Sequence, residues 1–232
     1  MGSVGGPKNN GKQGHPQLGV PGEDIFARNN NDFSKAMKIV NPNYKPYIEL
    51  SSKGRKENEP YHKNCALCSV AGVLQLMGYD VEAMPKDTEW RGFDDVFNFD
   101  WKNHDNYVAP NNKVNYSGTN WRDSRANPNK CKARTIEQAV DKITTTMTNW
   151  GEHSFAIMNF QWKNGSSHAV VVYKEKYATT IMDFQDGSTY SGGQMAQLLR
   201  DAKPGSIGLY RMDNAKLRDN IIDLDKIVKR RS

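Results

Sequence analysis

Residues 65–77 read CALCSVAGVLQLM, and they are apolar on almost every side. A helix of that kind has no face to give to water, so the rest of the chain must fold around it. Gly78 follows as a C-terminal stop, because glycine accepts the left-handed conformation that ends a helix. YDVEAMP then reads as a short strand closed by Pro85. A buried helix followed by strand signals predicts a layered domain rather than a helical bundle.

The helix opens with Cys65, directly after the polar HKN, and Cys68 sits one turn further in. Backbone N–H groups at a helix start are unpaired and carry partial positive charge. They favour a thiolate, the nucleophilic form of cysteine. Cys65 is therefore the candidate nucleophile. Cys68 reads as packing and is the alternative nucleophile.

A thiolate nucleophile needs a base, and the base needs an orienting group. Of the five histidines, His15 lies in a glycine-rich N-terminal stretch, His104 in a loop region and His153 at a helix–strand junction. His168 differs, since it heads the apolar strand HAVVVY after a Gly-Ser-Ser turn. The next strand, YATTIMDF, runs back towards Asp183. With Glu175 and Lys176 as a two-residue turn, His168 faces Asp183, and facing side chains lie about 5 Å apart on one side of the sheet. With a three-residue turn, Met182 takes that place. The expected order is thus Cys65, His168, Asp183.

Other chemistries use the same residues. His62, Cys65 and Cys68 form H-x2-C-x2-C, and Cys131 is a fourth zinc-ligand candidate. Structural zinc sites usually carry two closely spaced pairs, however, and here there is one. The reading adopted holds no metal and no other cofactor. Thioredoxin-type chemistry would place C-x-x-C after an early strand of a βαβ unit, and the downstream strands form a meander instead. A zinc nucleobase deaminase needs H-x-E and P-C-x-x-C, and neither occurs.

The remaining organisation follows from patterning. Residues 1–31 are rich in Gly, Asn, Pro and Lys and read as a flexible arm. Residues 32–63 form a lead-in with a short helix at DFSKAMKIV. About 86–130 reads as a long loop insertion anchored by Trp90, Phe93, Phe97, Trp101 and Trp121. In ARTIEQAVDKITTTMTNW, Ile136, Val140, Ile143 and Met147 recur at helical spacing, with Thr135 as cap. HSFAIMNFQW, HAVVVYKEK and YATTIMDFQDG form a three-stranded meander. SGGQMAQLLRDA and GSIGLYRMD read as a further helix and strand, and 215–232 as a charged C-terminal tail.

Net charge is +6, but the basic residues are scattered except for the terminal KIVKRRS. That argues for a solvated basic surface and no dedicated nucleic-acid site. No apolar run is long enough to span a bilayer, and the N-terminus has no apolar signal core. The expectation is a chain made in the cytoplasm without a signal peptide.

Together, NCALCSVAGVLQLMGYDVEAMP, FAIMNFQWKNGSSHAVVVYKEKYATTIMDFQDG, IGLYRMDN and the lead-in NPNY resemble the papain-fold toxin family over about residues 40–214. That family comprises papain-like domains of polymorphic bacterial toxins and phage minor head proteins. They are described as protein-glutamine deamidases or cysteine peptidases. The resemblance implies an α+β, papain-like cysteine hydrolase fold over 32–214, with a buried N-terminal nucleophile helix packed on an antiparallel β-meander. It implies Cys65, His168 and Asp183 as catalytic residues; Asn64, whose side chain stands beside the nucleophile at the helix start, and Gln185 are the expected oxyanion or supporting residues. It also implies a protein substrate, with an immunity protein or phage head proteins as partners, and a chain that is virion-associated or delivered into a target cell. Two positions depart from the family pattern: LQLM replaces an arginine-containing stretch, and Phe184 replaces a proline after the acid. A papain fold kept only as a non-enzymatic virion or interaction scaffold is the reading from another class.

Overall fold

The structure, a computed structural model, describes residues 14–29, 32–86, 93–98, 107–108 and 133–231. Four helices come first: α1 (Ile25–Arg28), α2 (Phe33–Val40), α3 (Ser52–His62) and α4 (Cys65–Leu76). Asp24, Asp32 and Ser51 cap the first three, each side chain accepting from backbone N–H groups of the opening turn. After β1 (Val81–Ala83) come the short strands β2 (Phe97–Asn98) and β3 (Tyr107–Val108), then α5 (Ile136–Trp150), capped by Thr135 as its sequence predicts.

The main strands are β4 (Phe155–Gln161), β5 (Ser167–Lys174), β6 (Thr179–Asp183) and β7 (Ser188–Ser191). They are followed by α6 (Gly193–Leu199), β8 (Gly208–Arg211), β9 (Lys216–Leu217), α7 (Leu224–Ile227) and β10 (Val228–Arg230). The expected three-stranded meander is the centre of a six-stranded antiparallel sheet, ordered β3-β8-β4-β5-β6-β7. The fold class is α+β.

Both faces of this sheet are covered. Along β5, Ala169 and Val171 join the core that contains α4, while Val170 and Val172 join the core that contains α5 and α6. This is the strict alternation of a strand put to use twice. It explains why β4 is buried from Phe155 to Phe160 and reads as an unbroken apolar run. Helix α4 packs on β5, and its residues Leu67 to Leu76 are all buried. Gln75, polar and fully buried there, donates to Val81 O at 2.5 Å and accepts from Arg28. A buried amide with partners on both ends is tolerated where a bare one would not be. Gly78 ends the helix region at φ +99°, and the Gly22 N–H donates to its carbonyl at 2.9 Å.

At both ends the described residues are packed rather than loose. Within the expected arm 1–31, residues 14–29 are packed, with Leu18, Ile25 and Phe26 buried. Within the expected tail 215–232, Ile221, Ile227 and Val228 are buried, and β9 and β10 pair with β2 and β1. Each end alone has too few apolar residues to show a period. They pack against one another and the core: the His15 ring hydrogen-bonds Arg218 O at 2.7 Å, and Gln17 bridges both backbone groups of Ile221. In the lead-in, α2 falls where expected, but α3 is an additional helix. Its polar sequence gave no apolar stripe. Of the loop anchors, Phe93 and Phe97 are buried, whereas Trp90, Trp101 and Trp121 lie outside the described residues. No helix among the described residues is long and apolar enough to cross a membrane.

Gly72, in the middle of α4, has a specific reason to be glycine. A Cβ at that position would overlap the ring of Phe184, the residue after Asp183. Alanine normally gains about 1 kcal/mol over glycine inside a helix. Here overpacking in a rigid core, about 1–3 kcal/mol, outweighs that gain. Gly72→Ala is expected to lower the urea midpoint, and Phe184→Leu in the same chain to recover part of the loss. A Gly72→Ala midpoint at or above wild type would show that the ring does not press there.

Candidate active site

Cys65 is the first residue of α4 and is partly buried. The first helical hydrogen bond runs from Cys68 N–H to Asn64 O at 2.9 Å, and Asn64 makes no side-chain cap. The N–H groups of the opening turn of α4 therefore carry no side-chain cap. Burial by itself would push this thiol up. Hydrogen bonding to His168, the imidazolium charge and the Ala169 N–H outweigh burial, and the net shift is downward. Cys68 has no such partner. Burial, with the nearby Cys65 and Asp183 charges, pushes its thiol well above the usual range. One helical turn thus separates two thiols whose surroundings shift them in opposite directions.

His168 lies near the head of β5. The loop after β5 is longer than either sequence alternative: Glu175 N–H donates to Ala178 O at 2.8 Å, and Lys174 pairs with Thr179. His168 therefore does not face Asp183 directly. The β5–β6 ladder ends at Val171–Met182, and one further step in that register would set Asp183 beside Val170. The shift from the two-residue-turn register is two residues, not one. An even shift keeps every side chain on its face, whereas an odd one would invert it. Asp183 becomes the diagonal neighbour of His168, within reach of a long side chain.

The resulting contact is short: His168 Nε2 lies 2.6 Å from Asp183 Oδ2. Their side chains are only 12% and 7% exposed, so solvent screens the pair little. Burial opposes the imidazolium, but the Asp183 charge and hydrogen bond, then Cys65, raise His168 well above its usual value. With Nε2 engaged by Asp183, Nδ1 is the ring nitrogen left for Cys65. Phe160 meets the ring edge-on at 5.6 Å and Trp162 stacks over it at 6.0 Å, which limits its rotation.

A family model described as papain fold toxin 1, glutamine deamidase, matches residues 63–188, more than half of the 232 residues. The chain belongs to that family. The matched span opens two residues before Cys65 and closes five after Asp183, so it contains every residue described so far in this site. No curated protein and no solved structure matches the chain.

In this papain fold toxin 1 chain, the two expected supporting residues meet in one buried network. Asn64 Nδ2 donates to Met84 O at 3.0 Å and to Asn41 Oδ1 at 3.3 Å. Both hydrogens of its amide are thereby engaged. Asn64 holds the entry to α4, and its amide is not free to meet an oxyanion, the role its position suggested. Gln185 donates from its side chain to Asn64 Oδ1 at 3.3 Å and from its backbone to Asp183 Oδ1 at 3.0 Å. Asn41 is the member that the motif-by-motif reading missed. It lies in the NPNY lead-in, whose only signal was the resemblance itself.

The other histidines are committed elsewhere. His62 hydrogen-bonds Lys45 O at 2.8 Å and stacks on Tyr47, and His153 meets Tyr173 OH at 3.0 Å. His62 is thus turned to the lead-in, not towards a shared metal position with Cys65 and Cys68. Among the described residues no three His, Cys, Asp or Glu side chains gather as a metal site, and Cys131 and His104 lie outside them.

Proposed function

We propose that this chain is a thiol amidohydrolase that converts glutamine side chains of a target protein to glutamate through a thioester on Cys65. One observation carries this reading: His168 is bound through Nε2 to Asp183 at 2.6 Å, and the same imidazole draws down the thiol of the cysteine that opens α4. Family membership supports the choice of a glutamine amide as substrate.

The reaction follows from these groups. Asp183 holds the imidazole and stabilises its charged form, so the resting pair is a Cys65 thiolate beside a His168 imidazolium. The thiolate attacks the carboxamide carbon. Backbone N–H groups at the head of α4 stabilise the oxyanion, an effect typically worth about 3 kcal/mol. His168 gives its proton to the departing nitrogen, ammonia leaves and the C–S bond of the thioester remains. His168, now neutral, takes a proton from water. The hydroxide attacks the thioester, the C–S bond breaks, and glutamate and the thiolate are released. A buried nucleophile helix resting on the β-meander suits this scheme, because it fixes the sulfur relative to both partner strands.

The test is ammonia release from unfolded glutamine-rich proteins, paired with their intact masses. The expected outcome is ammonia together with the mass gain of amide converted to acid, in uncleaved chains. Cleavage without ammonia would assign a cysteine peptidase using the same residues. Neither change would leave the fold as a scaffold.

A further inference from the structure

We propose that Asn41 is a positioning residue that fixes the nucleophile and the acid of the site in one frame. The inference rests on the catalytic reading of Cys65, His168 and Asp183. Asn41 is the C-terminal cap residue of α2, and it touches neither the sulfur nor the imidazole. Its side chain joins the two segments that carry the ends of the constellation. On one side, Asn41 Nδ2 donates to Gln185 O at 2.8 Å, and the Gln185 N–H donates to Asp183 Oδ1 at 3.0 Å. On the other, Asn41 Oδ1 accepts from Asn64 Nδ2 at 3.3 Å, and Asn64 immediately precedes Cys65. Tyr61 O, at the end of α3, is a further acceptor for Asn41 at 3.3 Å.

The network is dry. Asn41 is 5% exposed and Asn64 1%. Buried amides that satisfy one another specify a unique arrangement, because any displacement leaves a polar group without a partner. The same is not true of the strand pairing. The β5–β6 ladder stops at Val171–Met182, short of both His168 and Asp183, so sheet hydrogen bonds alone do not fix their separation. The amide network takes over at that point. The other titratable groups within electrostatic reach of Asp183 are Asp186, Tyr190, Tyr44 and Cys68. None of them belongs to the network.

The test is the pH profile of iodoacetamide alkylation, read separately at Cys65 and Cys68 by peptide mapping. In the wild-type chain Cys65 is expected to react faster than Cys68 on the acid side of the ordinary thiol range. Asn41→Ala is expected to move the acid limb of the Cys65 profile upward, and one pH unit is about tenfold in rate below that limb. Asn58→Ala is the control. Asn58 is also buried in the lead-in and hydrogen-bonds Asn43 O and Lys45 N–H, outside the network. It is expected to lower the melting temperature and leave the profile unmoved.

If Asn41→Ala does not fold, Asn41→Leu keeps the side-chain shape while removing both the donor to Gln185 O and the acceptor for Asn64, and a shift in the same direction is expected. An Asn41→Ala or Asn41→Leu profile superimposed on wild type would overturn the positioning role and leave the catalytic reading intact. Equal, slow labelling of Cys65 and Cys68 in the wild-type chain would overturn both.

Discussion

Cys65→Ser is expected to abolish glutamine deamidation, with kcat falling by at least about 10³-fold. The substitution changes one atom, so the fold and the His168–Asp183 contact stay as they are. What changes is the ionisation. The thiol is drawn down by His168 and the Ala169 N–H despite burial. A serine hydroxyl starts far too high for the same partners to ionise it at neutral pH. Cys68→Ser is the matched comparison. That side chain is 1% exposed, and its thiol is pushed the other way. It is expected to cost some stability and to keep activity within a few-fold of wild type. The assay is ammonia release on a common substrate, with thermal midpoints recorded alongside. An active Cys65→Ser and an inactive Cys68→Ser would move the nucleophile one helical turn inward.

Asp183→Asn is expected to lower kcat by about 10³–10⁴-fold with much less effect on KM. The His168 shift has an identifiable sign. Burial pushes the imidazolium down, and the Asp183 carboxylate reverses that. Remove the negative charge and the main support of the imidazolium against burial is gone, which weakens its hold on the thiolate. Any loss of the imidazolium also removes the proton needed by the departing ammonia. The carboxamide keeps the shape of the carboxylate and can still accept the Gln185 N–H, now at 3.0 Å on Asp183 Oδ1. The loss is therefore one of charge and tautomer more than of packing. The measurement is kcat and KM against pH for both chains. A loss below about tenfold would mean that Asp183 is a structural strand-end residue and that something else orients His168.

Much of the site was legible because its signals are local. Cys65 shows itself by standing between a polar HKN and an apolar run. His168 shows itself by heading a strand that is otherwise apolar. That His168 and Asp183 share a face was one of two alternatives, the other placing Met182 opposite His168. The even shift in register preserved that relation even though the turn was longer than either alternative considered. Asn64 was found by position but not by role. A side-chain amide looks the same in sequence whether its hydrogens are free or engaged, and here Met84 and Asn41 engage both on Asn64.

The packed ends illustrate the opposite case. Gly14–Asn29 and Asn214–Arg231 carry isolated apolar residues among charges and glycines, which by themselves resemble solvated chain. Each packs on segments far from it in the chain, as in the His15–Arg218 hydrogen bond with a separation of 203 residues, the Phe26–Tyr173 ring contact and the β1–β10 pairing. No local pattern contains that information.

The sequence by itself determined that α4 must be buried and that Cys65 opens it, since helix burial is a property of a short segment. Only the tertiary structure decided the 2.6 Å contact, the seat of Phe184 on Gly72 and the Asn41–Asn64–Gln185 link. Those depend on how closely distant segments approach, and that distance is set by packing the whole core at once.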